Sequence, residues 1–342
     1  MIEGPIHICG SVPLPSAKEV FETLAGTLSS KITNIPDGET GEREHWIMWQ
    51  RQVFDRHPNF EVIEWKGDYR NDTAKVPVNK WWQLRDGASA ANIDLGVLGY
   101  ADCAEKSFIQ FANLKDAGTI DATARLMVAV PTPYNVINSL VSPSDRLAIE
   151  PAYERALTAD ITKIAVSLPH DQISVQWDVA HDMQTYEGSR QCYFAFHQDG
   201  IVERLVRMGD LVPDDITMGY HLCYGNFGGK HFVEPHDMGP MVDLANRVST
   251  AISRTLQWIH MPVPIERDDE AYFDALKDLK LRPETKLYLG LVHDQDGEEG
   301  CRRRMATADK FFSGYGIATE CGLGRRQPET IASLLALHNS LV

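Results

Sequence analysis

Short apolar runs separated by amphipathic stretches recur along the whole chain. The runs cover residues 6–12, 32–36, 125–130, 173–177, 216–223, 256–261, 286–292 and 316–321, and each reads as a buried strand. Between most of them, apolar positions repeat at helical spacing, which predicts helices over 17–28, 144–167, 197–208, 238–254, 268–278 and 298–312. Regular strand–helix alternation implies a parallel sheet, because parallel neighbours need a crossover between them. Eight repeats imply a closed (β/α)8 TIM barrel, with residues 1–342 forming one domain.

One region breaks this rhythm. Residues 38–120, between strands 2 and 3, exceed any ordinary connection and carry Trp46, Trp49, Trp65, Trp81 and Trp82. They are expected to form an elaborated insertion that lies as a lid over one face of the barrel.

In such a barrel the chemistry sits where strands end and the following loops begin. Polar residues gather at those places. Ser11, Asp37 and Asp178 follow the first, second and fourth runs; His221 and Cys223 end the fifth. His260 closes the sixth, His293 and Asp294 follow the seventh, and Cys321 ends the eighth. His221 and Cys223 are two apart on a strand and point to the same face, so one metal ion can meet both. Cys321 arrives from far downstream, which argues for ligands gathered from several strands and against a zinc finger. Thiolate and imidazole donors favour zinc over magnesium or manganese. A fourth ligand is sought at His260, on the adjacent strand, with His231, Glu234 and His236 as competitors in the loop after Cys223. Asp178 is either a substrate clamp or a cap for the turn that follows it.

Composition narrows the field of partners. The chain carries 33 basic and 48 acidic side chains, a formal charge of −15, and such a field repels nucleic-acid phosphates and anionic lipid surfaces. No apolar run is long enough to span a membrane, and the first residues lack the basic flank and apolar core of a secretion signal, so a cytoplasmic location is expected. The six dispersed cysteines then read as reduced thiols. Composition does not address oligomeric state.

Four stretches resemble the C-terminal catalytic domain of cobalamin-independent methionine synthase, in the barrel superfamily shared with uroporphyrinogen decarboxylase. Cys9-Gly10-Ser11 resembles the family's Ile-Gly-Ser, and Gln176-Trp177-Asp178 its Gln-x-Asp-Glu-Pro. His221-Leu222-Cys223 is similar to its His-x-Cys zinc motif, and Cys321-Gly322-Leu323 to its Asp-Cys-Gly-Leu segment. The resemblance implies zinc on His221, Cys223 and Cys321, with Ser11 and Asp178 near a thiol substrate. Three departures stand out. His260 occupies the position of the family's glutamate ligand, Val179-Ala180 replaces Glu-Pro, and the family's proton-donating histidine falls within residues 293–296, making His293 and Asp294 candidates. Full-length methionine synthases carry a second barrel with no counterpart in these residues, so the resemblance does not imply folate.

The function expected is a zinc-dependent alkyl, and in particular methyl, transferase that activates a small thiol as a zinc thiolate toward an alkyl donor. One rival is a metal-free lyase or decarboxylase centred on Asp37 and Arg43. Another is a zinc-bearing small-molecule binding protein with a closed site.

Overall fold

The computed structural model describes residues 4–64, 80–225, 231 and 233–342; Trp65 of the tryptophan-rich stretch lies outside them. The strands are β1 (Asn34–Pro36), β2 (Phe60–Glu64), β3 (Lys80–Leu84), β4 (Arg125–Pro131), β5 (Ile173–Val179), β6 (Thr217–Leu222), β7 (Trp258–Pro262), β8 (Lys286–Gly290) and β9 (Gly316–Ile317). Seven of them form one curled parallel sheet in the order β1-β4-β5-β6-β7-β8-β9. Apart from the step over β2 and β3, sheet order is chain order, as expected when each strand is followed by a crossover that returns the chain beside it.

The expected first strand behaves differently. Residues 6–12 form no regular strand but make one parallel bridge at Ile6 to Ile317 and another at Ser11 to Gly38, so the same short segment touches both edges of the sheet. Gly10, at φ +129°, breaks the extended conformation between the two bridges. Helices Ala17–Leu28, Arg146–Ser167, His197–Asp210, Gly239–Ala251 and Gly297–Ala308 match expectation closely, while the stretch near 270 is one short helical turn continued by a 3-10 turn. Helices Tyr100–Asp116, Pro133–Leu140, His181–Tyr186 and Ile331–Leu341 were not legible as separate elements. No helix among the described residues is long and apolar enough to cross a membrane.

Residues between β1 and β4 include the antiparallel pair β2–β3 and helix Tyr100–Asp116. They do not form a separate core. Ile47, Phe54, Phe60, Trp82 and Phe111 belong to the same buried cluster as Tyr153 and the sheet residues, and the amide N–H of Ser142 donates to Trp82 O at 2.9 Å.

Register sets the interior. Gln176, Gly219 and Trp258 are level on β5, β6 and β7, and Asp178, His221 and His260 are level two residues higher. Level residues of a parallel sheet face the same side, so these are two stacked layers. Gly219 is required by its neighbour: a Cβ there would lie 2.1 Å from the Trp258 indole. Gly219→Ala is therefore expected to destabilise the protein by about 1–3 kcal/mol through overpacking. Gly26→Ala meets nothing within 4 Å in an exposed helix interior and should stabilise it by about 0.5–1 kcal/mol. Urea unfolding of the two variants beside the parent checks both signs, and a neutral Gly219→Ala would show that the indole does not need that space.

Candidate active site

The upper layer ends at a cavity. Asp178, His221 and His260 stand at the C-terminal ends of their strands, and Cys223 continues the ladder, its backbone N–H donating to Val179 O at 3.0 Å. That bond holds Cys223 extended, so its sulfur points to the same side as His221. Cys321 comes from the loop after β9, which is pinned on several sides. Ala318 N–H donates to Leu289 O at 2.9 Å and Leu323 N–H to Ser11 O at 2.7 Å, while Thr319 Oγ1 donates to Cys321 O at 2.6 Å. The loop can press so closely on Ser11 only because residue 322 is glycine; a Cβ there would sit 2.4 Å from Ser11 Oγ.

These backbones bring three soft donors together. The sulfurs of Cys223 and Cys321 are 3.3 Å apart, within the reach of two metal–sulfur bonds of ~2.3 Å. Cys321 Sγ is 3.7 Å from His221 Nε2, and the three donor atoms all lie within 4.8 Å of one another. Gly225 N–H donates to Cys223 Sγ at 3.1 Å. Cys9, His221 and His260 form a second, fully buried group at the same spacing.

The fourth-ligand candidates have other partners. His260 Nδ1 is 2.7 Å from His221 Nδ1, and its Nε2 is 3.0 Å from Thr319 O. His231 Nδ1 lies 3.1 Å from a Glu234 carboxylate oxygen, and His236 Nδ1 lies 3.0 Å from one of Asp237. Among the described residues, none of these loop groups joins the two sulfurs.

A cavity of about 90 Å³ opens beside the donors, lined by Cys9, Ser11, Asp178, His221, Cys223 and Cys321 together with Glu39, Trp46 and Arg325. Asp37 is not in that lining. It accepts from Arg43 Nη2 at 2.6 Å, from Ser107 Oγ at 2.7 Å and from the backbone N–H of Glu39 at 3.0 Å. It thus holds the turn that presents Glu39. His293 and Asp294 also sit elsewhere: His293 Nε2 donates to Val263 O at 2.8 Å, its Nδ1 is 3.4 Å from Glu320, and Asp294 pairs with Arg326.

Sequence placed Trp46 in the expected lid but singled out neither Glu39 nor Arg325 as a site residue. Glu39 and Trp46 have φ of +52° and +55°, a region that few non-glycine residues occupy and that concentrates at functional sites. The Asp37-Gly38-Glu39 spacing is the signal that could have found Glu39, since an aspartate capping the N–H two residues on is a turn that re-aims the chain.

Burial shifts the ionisation of several groups at this site. Asp178 accepts from Gln176 Nε2 at 3.0 Å and from Trp46 Nε1 at 3.1 Å. Burial outweighs both bonds and raises its pKa to about 7. Burial, and Asp178 beside it, push Glu39 well above the usual carboxylate range. The hydrogen bond with Cys223, and then burial, raise the Cys321 thiol, and burial drives His221 down to about 3. His221 is thus a neutral imidazole and Cys321 a thiol, and a metal ion would enter with loss of the Cys321 proton.

No family model matches the chain, and no curated protein matches it. Among solved structures it is similar to a B12-independent methionine synthase from Shewanella sp. W3-18-1 in complex with selenomethionine, with TM-score 0.64 and 13% identity over 99% of this chain and 96% of that one. It is also similar to a putative vitamin-B12 independent methionine synthase from Listeria monocytogenes, with TM-score 0.53 and 13% identity over 95% of this chain and 87% of that one. At such identities the likeness concerns architecture, and the chain shares the α/β fold of these structures along nearly its whole length.

Proposed function

We propose that this chain is a zinc-dependent alkyltransferase, and specifically a methyltransferase, acting on a small thiol that carries an amino group. The observation that carries the reading is the convergence of His221 Nε2 and the sulfurs of Cys223 and Cys321 on a cavity that also holds Glu39 and Asp178. The donor set fits zinc: two thiols and one imidazole are soft, buried or half-buried and close enough to share an ion, and three protein ligands leave a position open for substrate. Zinc there would supply a Lewis acid that lowers the pKa of a thiol placed against it, leaving a nucleophilic sulfur near neutral pH. The same reading takes residues 6–12 as the eighth stave of a (β/α)8 barrel and residues 38–120 as its lid, with Trp46 reaching into the mouth.

The chain's own groups would then orient and select. A substrate ammonium placed between Glu39 and Asp178 would favour the charged form of Glu39, which burial otherwise disfavours, while Asp178 keeps its proton. Ser11 Oγ and the Arg325 side chain line the same cavity and would meet the polar end of such a substrate. Transfer forms a sulfur–carbon bond as the donor's bond to that carbon breaks and the donor keeps the electron pair. Asp178, which releases its proton near neutral pH, lines the cavity and can protonate that leaving group, whereas His293 and Asp294 are committed to Val263 and Arg326. The lyase alternative finds less support, because Asp37 and Arg43 are bonded to each other at 2.6 Å.

Three outcomes check this reading. Metal analysis of the purified protein should give one zinc per chain, and Cys223→Ser or Cys321→Ser should abolish both zinc retention and methylation of a thiol panel by isotope-labelled donors. Cys192→Ser, outside the cavity lining, should change neither. A protein that methylates thiols equally well after chelation and with both serines in place would sink the proposal. For the ammonium subsite, Glu39→Gln should raise KM for amino-bearing thiols about 10–100-fold, the loss of one charge-assisted contact. KM for a thiol without the amine should stay near the parent's value, and equal losses on both would remove the subsite.

The third outcome concerns pH. Asp178 keeps its proton to about pH 7 in the folded chain but only to ~3.9 when unfolded. Between those values the folded state binds more protons, so stability falls as pH rises through the window. The difference in unfolding free energy between Asp178→Asn and the parent should therefore move in favour of the variant from pH 4 to pH 7, by on the order of a few kcal/mol. Urea unfolding without substrate measures it; a difference that stays constant with pH means Asp178 titrates normally.

A further inference from the structure

His260 stands where a fourth ligand was expected, yet both of its ring nitrogens have partners. Thr319 O, 3.0 Å from Nε2, is a carbonyl and can only accept, so Nε2 must carry the proton. A neutral ring then presents a bare lone pair at Nδ1. The atom facing it, 2.7 Å away, is Nδ1 of His221, and one of those two nitrogens must donate. That proton therefore belongs to His221 Nδ1, which leaves the lone pair of His221 on Nε2, the atom 3.7 Å from Cys321 Sγ. The opposite arrangement sets a lone pair of His260 against the Thr319 carbonyl and puts a proton on His221 Nε2, where no metal could bind.

We propose that His260 is a positioning residue: it relays the Thr319 carbonyl to His221 and fixes the tautomer and ring orientation that turn the His221 Nε2 lone pair toward the metal position, without itself ligating. The inference deepens the zinc reading above and rests on it. Turning His260 toward the ion would strand the Thr319 carbonyl and the His221 N–H in a site where both histidines are buried. Thr319 has a second tie to the same site, since its hydroxyl donates to Cys321 O at 2.6 Å. One residue of the β9 loop thus helps to place a sulfur ligand and, through His260, to orient the imidazole ligand. Metal-bound histidines are commonly held in this way by an acceptor on the far nitrogen; here the acceptor is a second imidazole.

The test has three arms. In zinc-free parent protein labelled with 15N-histidine, long-range proton–nitrogen correlation should show His260 protonated at Nε2 and His221 at Nδ1. X-ray absorption of the zinc-loaded parent should find two sulfurs and a single imidazole. In chelator competition, His260→Phe, which fills the space without polar atoms, should bind zinc about 10–100-fold more weakly than the parent. His260→Gln, whose amide can donate to Thr319 and accept from His221, should stay within a few-fold. A second imidazole in the shell, a proton on His221 Nε2, or parent-like zinc affinity in folded His260→Phe would each overturn the relay. Should His260→Phe fail to fold, the two measurements on the parent still decide. If no form binds zinc, the functional reading fails, while the zinc-free tautomers still decide the hydrogen-bond relay on their own.

Discussion

The hydrogen-bonded register of β5, β6 and β7 is the constraint on which the site depends. Side chains alternate faces along a strand, so a slip of one residue in β6 would send His221 and Cys223 outward together and bring Leu222 in. The register is held from below by shape as well as by the ladder. Trp258 lies across the bare backbone of Gly219, and Gln176 bridges to His7 Nε2 at 2.7 Å and to Cys9 O at 2.8 Å. A core that is filled and hydrogen-bonded one layer down gives the ligands above it a rigid floor.

The second constraint is the loop that brings Cys321. Its sulfur reaches Cys223 only because the chain after β9 folds back onto Ser11, and that contact needs Gly322 to have no side chain. The resulting junction is dense with backbone bonds and leaves little freedom to the sulfur. Rigid placement would matter for the thiol activation proposed above, since a displacement of about 1 Å is enough to cost much of the rate.

The charges explain why such an arrangement is poised for ligands. Two buried carboxylates, the His221 and His260 imidazoles and the Cys321 thiol gather around one small site, each displaced toward its uncharged form. Under the function proposed above, a metal ion would meet the sulfurs and an ammonium the acids. Folding supplies the desolvation that makes both demands strong.

The amino-acid sequence by itself determined the parallel strands and most of their crossovers, because apolar runs and helical spacing are local signals that burial enforces. It also singled out the His221, Cys223 and Cys321 trio that the structure brings together, since His221 and Cys223 share a strand face by simple alternation and Cys321 ends a comparable run. What only the tertiary structure decided was how the remaining polar groups divide their bonds. Asp37 turns to Arg43 and Ser107, His293 to Val263, and His260 to Thr319 and His221, each choosing a partner at least six residues away and most of them on another strand or loop. Glu39 and Trp46 enter the cavity through left-handed backbone conformations that no periodicity announces. Strand-end position shows which residues come near the mouth of such a sheet; which of them face the ligand depends on competition among buried hydrogen bonds, and that is settled only when the distant partners meet.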